Sequence, residues 1–288
     1  MNFKVSVIIP VFNVELYLEE AIRSAVTLEE VFEVILVEDG SVDKSFEICN
    51  YWAKKHSKVK LVFHKNHQNK GVALSRNLGV ESATYDFISF LDADDWYLEN
   101  RFSVEKAIFD SNPEADGVYG GTGFFYQVTK SFDRERLTTI DKIVKPKDLI
   151  YTLLDGKGGR FTTNAITFKK SFFLALGGFD KTLELGEDTD LWIRASVRGK
   201  LYSGLIGYPV AIRRVHDFNS SKRINHLTDR FLYEKLYKYF LHRKGISNKA
   251  FLIIFKRYIG TRSNSILSRY YNAIFEIICN PICIRKLV

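Results

Sequence analysis

The 288-residue chain has only three cysteines, Cys49, Cys279 and Cys283, too few and too scattered for a disulfide framework. Their scarcity favours a reducing compartment. Cys279 and Cys283 offer no zinc-like spacing and read as buried apolar residues. No apolar run reaches the ~18 residues of a membrane span. The opening run Val5 to Phe12 is short, contains Pro10 and passes straight into the acidic Glu15 to Glu20 stretch, which does not read as a secretory leader. These absences point to a cytoplasmic location. Glycine is missing from the first turn, Pro10-Val11-Phe12-Asn13-Val14, so a dinucleotide finds no seat there for its pyrophosphate, and Gly121-Thr122-Gly123 lacks the third glycine of that fingerprint. No P-loop is present, and there is no internal repeat or low-complexity tract.

What is there suits a globular protein with a large core: 46% of residues are hydrophobic, enough for one large domain or one domain with an appendage. The net charge of +8 is unevenly placed. Residues 220–288 carry 14 Lys and Arg against three acids, whereas the rest of the chain carries 28 against 31. A basic C-terminal part on an acidic body points to an anionic surface or a polyanionic substrate. Nucleic acid is disfavoured, because the acidic body would repel it.

The pattern along the chain is strand, helix, strand, helix. Apolar β-branched runs at Lys4–Pro10, Val34–Val37, Val59–Phe63 and Phe87–Leu91 alternate with helical stretches at Val14–Val26, Asp43–Lys55 and Val72–Ser82. Asn13 is placed to cap the first helix. Such alternation predicts a mainly parallel sheet covered on both faces, whose ligands collect beyond the carboxyl ends of the strands. Further on, Leu98–Phe109 reads as a helix, Asp116–Val128 as a strand pair or one long strand, Phe132–Lys147 as a charged loop, Thr162–Phe168 as a strand, and Gly178 as a left-handed helix cap. From Ile224 the chain reads as three helices, Leu227–Leu241, Asn248–Ile259 and Ser265–Ile278.

The strand Phe87-Ile-Ser-Phe-Leu ends in Asp92-Ala93-Asp94-Asp95. On extended backbone Asp92 and Asp94 project to the same side, so their oxygens can converge on one divalent cation or one diphosphate-metal complex. The plainer alternative is a solvated acidic turn with a helix cap. Asp39 ends the second strand and should face the same crevice, although Asp39-Gly40-Ser41 is also ordinary turn chemistry, and a carboxylate there can equally hold a dinucleotide ribose. A second acidic cluster, Glu187-Asp188-Thr189-Asp190, precedes Leu191-Trp192 where a helix starts, and acids there also simply complement the helix dipole.

In combination, Val5-Ser6-Val7-Ile8-Ile9-Pro10-Val11-Phe12-Asn13, Glu38-Asp39-Gly40-Ser41-Val42-Asp43, Asn69-Lys70-Gly71 with Ser75-Arg76-Asn77-Leu78-Gly79, and Asp92-Ala93-Asp94-Asp95 resemble the successive signatures of glycosyltransferase family 2, in that family's order. The resemblance spans residues 4 to about 220. It implies an α/β, A-type glycosyltransferase fold, a nucleoside-diphosphate sugar donor, with a UDP-sugar the expected one, Mn²⁺ or Mg²⁺, and inversion at the anomeric carbon. It also implies that Pro10, Val11, Phe12, Glu15 and Asp39 hold the nucleoside, that Gly71, Arg76, Asp92 and Ala93 complete the donor site, and that Asp94 binds the metal.

By the same resemblance, Asp188 is the catalytic base, with Glu187 and Trp192 as acceptor-side supports and Asp190 orienting the helix end. Arg214-Val215-His216-Asp217-Phe218-Asn219-Ser220-Ser221 resembles a segment that folds over the diphosphate and can bring His216 to the metal, against the ordinary reading of a lone structural histidine. The expected organisation is a catalytic domain over 1–220, with a nucleotide-binding half 1–97 and an acceptor-binding half 98–220, and a basic helical extension over 221–288. That extension can lie on the anionic inner face of the membrane, through cations such as Lys244 and Arg269, or cap the core. The expected activity is hexosyl or N-acetylhexosaminyl transfer to a hydroxyl of a glycan or lipid-linked glycan in polysaccharide or cell-envelope synthesis. A sugar-nucleotide-forming nucleotidyltransferase and a catalytically silent glycan-binding scaffold are the rivals. The first would want a glycine-rich basic loop that Pro10–Val14 is not; the second would not need Asp39, Asp92, Asp94 and Asp188 together.

Overall fold

The structure, a computed structural model, describes residues 2–217, 219, 226–243, 245–263, 265–280 and 282–287. Phe218, Ser220 and Ser221 of the histidine segment, and Lys244, lie outside the described residues.

The chain opens with β1 (Val5–Val11), α1 (Leu18–Val26), β2 (Val31–Glu38), α2 (Ser45–Lys55), β3 (Val59–Phe63), α3 (Val72–Ser82) and β4 (Phe87–Phe90). There follow β5 (Trp96–Tyr97), α4 (Glu105–Ser111), β6 (Gly117–Tyr119), β7 (Gly121–Tyr126), β8 (Ser131–Thr138), α5 (Leu149–Asp155) and β9 (Ile166–Lys169). Next come α6 (Lys170–Leu176), α7 (Glu187–Arg198), β10 (Leu201–Ser203) and β11 (Pro209–Val215). After them stand α8 (His226–Leu241), α9 (Asn248–Thr261), α10 (Ile266–Cys279) and α11 (Ile282–Leu287).

Seven strands form the main sheet in the order β10-β6-β9-β4-β1-β2-β3. β1 runs parallel to both β2 and β4, while β9 is antiparallel to β4 and β6, so the mainly parallel sheet has one reversed strand. The chain winds outward from β1 through β2 to β3, then returns to place β4 on the other side of β1. That reversal opens a crevice at the carboxyl ends of β1 and β4. β1 is apolar on both faces because both are covered. Val5, Val7, Ile9 and Val11 pack toward α1 and α2, and Ile8 packs toward α3. The α3 contact depends on Gly79: a Cβ there would lie 2.4 Å from Ile8 Cγ2 and 3.0 Å from Val37 Cγ2. Only glycine lets this helix sit so close.

A second sheet, in the order β5-β11-β7-β8, stands beside the first. The stretch expected as a strand pair or one long strand over Asp116–Val128 forms two strands, β6 and β7, divided at Gly120 between the two sheets and so not paired with each other. Phe132–Lys147, expected as a loop, carries most of β8, which pairs antiparallel with β7. Its alternation is weak because β8 is an edge strand with one neighbour and much exposed surface. Three local expectations also shift. Asn13 does not cap α1; it takes a left-handed backbone at φ 49° and its side chain accepts from Val42 N–H at 2.8 Å. Helix α4 starts later than expected because Arg101 is drawn inward, donating to Asn164 O at 3.0 Å and Glu105 Oε1 at 2.5 Å. Gly177, not Gly178, is the left-handed cap of α6, with Gly178 continuing the turn.

Helices α8 and α9 pack on α5 and α7. Leu232, Leu236, Tyr237, Phe251 and Ile254 join Ile150, Leu154, Leu183 and Ile193 in one buried cluster, and Tyr237 stacks on Tyr258 with ring centres 4.5 Å apart. These two helices are a cap on the core.

Candidate active site

The sheet ladder carries two loops past the strand ends. Asp39 N–H donates to Val11 O at 2.9 Å, and Leu91 N–H donates to Ile8 O at 3.0 Å. The chain leaving β1, Asp39 after β2 and Asp92 after β4 therefore meet along one edge. They open on a cleft of about 1750 Å³ lined by Pro10, Val11, Phe12, Glu15, Asp39, Gly71, Arg76, Asp92, Ala93, Asp94, Glu187, Asp188, Trp192 and His216, all singled out in the sequence; Asp190 is not among its lining residues.

On the side of β1 and β2 the acids fasten loops. Asp39, 3% exposed, accepts from Lys70 N–H at 2.7 Å and Gly71 N–H at 2.9 Å, one bond to each carboxylate oxygen. Each oxygen keeps a second acceptor site. Glu38 holds the turn beside it through Gly40 N–H and Ser41 N–H. Gly40 is required twice, by its φ of 79° and because a Cβ would meet His67 O at 2.7 Å. Glu15 accepts from Lys44 N–H at 2.9 Å, and its own N–H donates to Asp43 at 3.0 Å. Phe12 stands out from this wall, half exposed.

At the tip of β4 the three aspartates separate into different tasks. Asp92 takes Arg76 Nη2 at 2.7 Å on one oxygen and Thr163 Oγ1 at 3.2 Å on the other. Asp95 is buried, accepting from Asn164 Nδ2 at 2.6 Å and Arg214 N–H at 2.7 Å; burial, and then the charges of Asp94 and Asp92, push its carboxyl well above the usual range. Asp94 differs. His216 Nε2 lies 2.9 Å and Asn219 Nδ2 3.1 Å from its Oδ2, while its Oδ1 has no partner among the described residues.

Across the cleft, α7 begins after Gly186, at φ 82°. Glu187 turns inward to Arg76 Nη1 at 2.7 Å; burial pushes its carboxyl up, the Arg76 charge opposes this, and the neighbouring Asp188 adds to it. Asp190 forms a buried ion pair with Arg194 at 2.6 Å, and Arg194 also holds Leu176 O and Gly178 O, so Asp190 anchors the helix rather than meeting the cleft. Asp188 accepts on Oδ1 from Thr189 N–H at 2.6 Å and Oγ1 at 3.2 Å, and its Oδ2 has no partner among the described residues. Trp192 is buried and stacked on Phe168 at 5.8 Å, so it backs the wall.

Arg76, expected from the sequence at the donor site, joins both walls of the cleft. Buried at 5% exposure, it divides its guanidinium between Asp92 on one side of the cleft and Glu187 on the other. Sequence reasoning missed Thr163 and Asn164, which orient Asp92 and Asp95, and Arg214, which grips Asp94 O at 3.0 Å and also bonds Glu20. A run of short polar residues directly before an apolar strand, Thr162-Thr163-Asn164, was the available signal. The cap itself was among the expected readings, but not its part in the site: Thr228, Asp229, Leu232 and Tyr233 of α8 and Arg257 of α9 line the same cleft.

A hard divalent cation fits the donor set at Asp94, where a carboxylate oxygen is left over and imidazole and amide groups gather beside the other. Among the described residues no three His, Cys, Asp or Glu side chains are arranged to hold an ion alone. Mg²⁺ and similar ions are commonly held by one or two protein ligands plus substrate phosphates.

A doubly covered, mostly parallel sheet with a carboxylate-lined crevice at its switch point, a second small sheet and a helical cap define the A-type glycosyltransferase fold. A family model described as glycosyl transferase family 2 matches residues 6–173, and the chain belongs to that family. It is 32% identical to the minor teichoic acid biosynthesis protein GgaB of Bacillus subtilis over 230 residues, 76% of this chain and 24% of GgaB. It is 43% identical over 102 residues to an uncharacterized glycosyltransferase of Haemophilus influenzae, covering 35% of this chain and 40% of that protein. The chain thus spans between a quarter and two-fifths of the length of these relatives. Among solved structures, Staphylococcus aureus TarS 1–349 superposes with a TM-score of 0.66 at 18% identity over 99% of this chain and 83% of that one. Its complex with UDP-GlcNAc gives 0.67 at 16% identity, over 96% and 80%. At such identity the likeness is one of fold. Among the described residues no helix is long and apolar enough to cross a membrane.

Proposed function

We propose that the protein transfers a hexose or N-acetylhexosamine from a UDP-sugar, with inversion, to a hydroxyl of a cell-surface glycan or its lipid-linked precursor. The observation that carries this reading is the convergence of Asp39, Asp92, Asp94 and Asp188 on one cleft from three separate stretches of chain. GgaB's name associates that relative with teichoic acid synthesis, and the TarS complex contains UDP-GlcNAc; both support a nucleotide-sugar donor and an envelope polymer as acceptor.

Asp39 keeps acceptor capacity for a uracil N–H after its two backbone bonds, and its loops hold it ready without further ordering. Phe12 offers a ring face to the base. Asp92, fixed by Arg76 and Thr163, accepts from the ribose. Asp94, with His216 and Asn219 beside it, holds the divalent cation. That ion, when bound, neutralises the charge developing on the departing diphosphate. An acidic cleft would otherwise repel a diphosphate.

Asp188 takes the acceptor's proton. Its Oδ2 has no partner among the described residues, while Oδ1 is held by Thr189, so the side chain is aimed and still has a basic site. The acceptor hydroxyl becomes acidic as its oxygen bonds to the anomeric carbon from the face opposite the diphosphate, and the proton passes to Oδ2 as the sugar–phosphate bond breaks. Trp192 and the cap helices exclude water from behind.

Thermal-shift titration with UDP-, GDP- and TDP-sugars, with and without Mn²⁺, tests the donor. Stabilisation by a UDP-sugar that grows with Mn²⁺ and is lost in Asp94→Ala is expected. Equal stabilisation by all nucleotides, or by none, overturns the assignment.

A further inference from the structure

Helix α10 is mounted inside out. Glu276 and Asn272 face the protein: Glu276 accepts from Tyr237 Oη at 2.9 Å and Tyr258 Oη at 3.2 Å, and Asn272 Nδ2 donates to Ser263 Oγ at 2.8 Å. Its apolar side faces outward. Ile266, Leu267, Tyr270, Tyr271, Ile274, Phe275 and Ile278 recur at helical spacing, each at least 55% exposed. None of them lines the catalytic cleft. A continuous apolar stripe of this length marks an interaction surface.

Charge selects the occupant. Residues 262–288 contain Arg262, Arg269, Arg285 and Lys286 but a single acid, Glu276, which is turned inward. Arg262, Arg269 and Arg285 are exposed. A second copy laid on this face would bring cations against cations with no acid to answer them. An anionic bilayer surface supplies both apolar depth and negative charge. Two adjacent tyrosines suit the boundary between head groups and acyl chains. At 14 residues and ~1.5 Å per residue, α10 is too short to cross a bilayer and long enough to lie in its surface.

We propose that α10 seats the protein on anionic lipid bilayers by inserting this face into the head-group region, while α8 and α9 stay packed on the core. The docking is independent of which sugar or acceptor the cleft takes. The basic extension as a whole is then not the lipid-binding element; one helix of it is.

Vesicle co-sedimentation of the whole chain tests this, using phosphatidylcholine alone and an equimolar mixture of phosphatidylcholine and phosphatidylglycerol. Strong binding to the anionic vesicles, weaker binding to the neutral ones and partial release by salt are expected. The double variant Leu267→Ser/Phe275→Ser alters only outward-facing side chains, so its melting temperature should match that of the parent while its partitioning falls by at least about tenfold. Arg269→Glu should weaken binding to the anionic vesicles alone. Parent and double variant binding equally, or the parent not binding at all, overturns the proposal. So does sedimentation velocity showing a parent dimer that the double variant converts to monomer, since the face would then belong to a second copy.

Discussion

The two walls of the cleft are built differently. On the wall formed by the ends of β1, β2 and β4, the acids of the loops are fastened by other parts of the chain: Asp39 by two backbone N–H groups, Asp92 by Arg76 and Thr163, Asp95 by Asn164 and the Arg214 backbone. On the opposite wall Asp188 is bonded, among the described residues, only to its sequence neighbour, and much of the surface comes from side chains of α8 and α9. The first arrangement suits a ligand whose shape never changes, such as a nucleotide. The second leaves a wall that can be altered by a few side chains without disturbing the sheet, as an acceptor site requires.

If this division is right, Asp188→Asn should lower kcat by roughly 10²- to 10⁴-fold with the donor Kd unchanged, because a base is removed and no loop is released. Steady-state kinetics beside calorimetric UDP-sugar binding checks it. Arg76 joins the walls, so Arg76→Met should cost about 3–5 kcal/mol of unfolding free energy, since it leaves Glu187 buried without its cation. Urea melts measure this, and a loss under 1 kcal/mol would show the joint to be idle. Gly79→Val should cost about 1–3 kcal/mol by overpacking α3 against Ile8 and Val37.

Glu33, under the donor wall, gives a pH test. Burial pushes its carboxyl up, but the Lys60 ammonium and the Ser6 and Thr84 donors more than reverse this and hold it below its ordinary value of 4.5. Its stabilisation is then present above that value and lost as pH falls through the lower, folded one. Glu33→Gln should cost about 1–3 kcal/mol near neutrality and much less in acid, so urea melts of parent and variant should converge as pH drops. Smallest of all, Tyr233→Phe removes the hydroxyl that accepts from Arg257 at 2.6 Å and should raise the acceptor KM roughly three- to tenfold while leaving the donor KM alone.

The donor wall was legible in the sequence because its order is local. Val59–Phe63 and Val72–Ser82 stand at the residues their patterns predicted, and a carboxylate at the end of an apolar strand can go only to the sheet's carboxyl edge. The other wall was obscure for a matching reason. Tyr233 and Arg257 follow the matched segment at a distance, and only packing brings them to the cleft. β8 hid because an edge strand need not alternate, and Asn13 misled because a short polar side chain before a helix can equally clasp a neighbouring loop. The apolar stripe of α10 was readable, but its direction was not: it takes the Tyr237 and Tyr258 hydroxyls to show which side of the helix is inside.

A single guanidinium shared between opposite banks also ties the two proposed substrate seats together electrically. Arg76 faces Asp92, on the proposed donor side, with the same positive group that pairs with Glu187, one residue before the proposed base. On that proposed reading, a change of charge at the first seat would reach the second through a fixed cation, with no helix having to move.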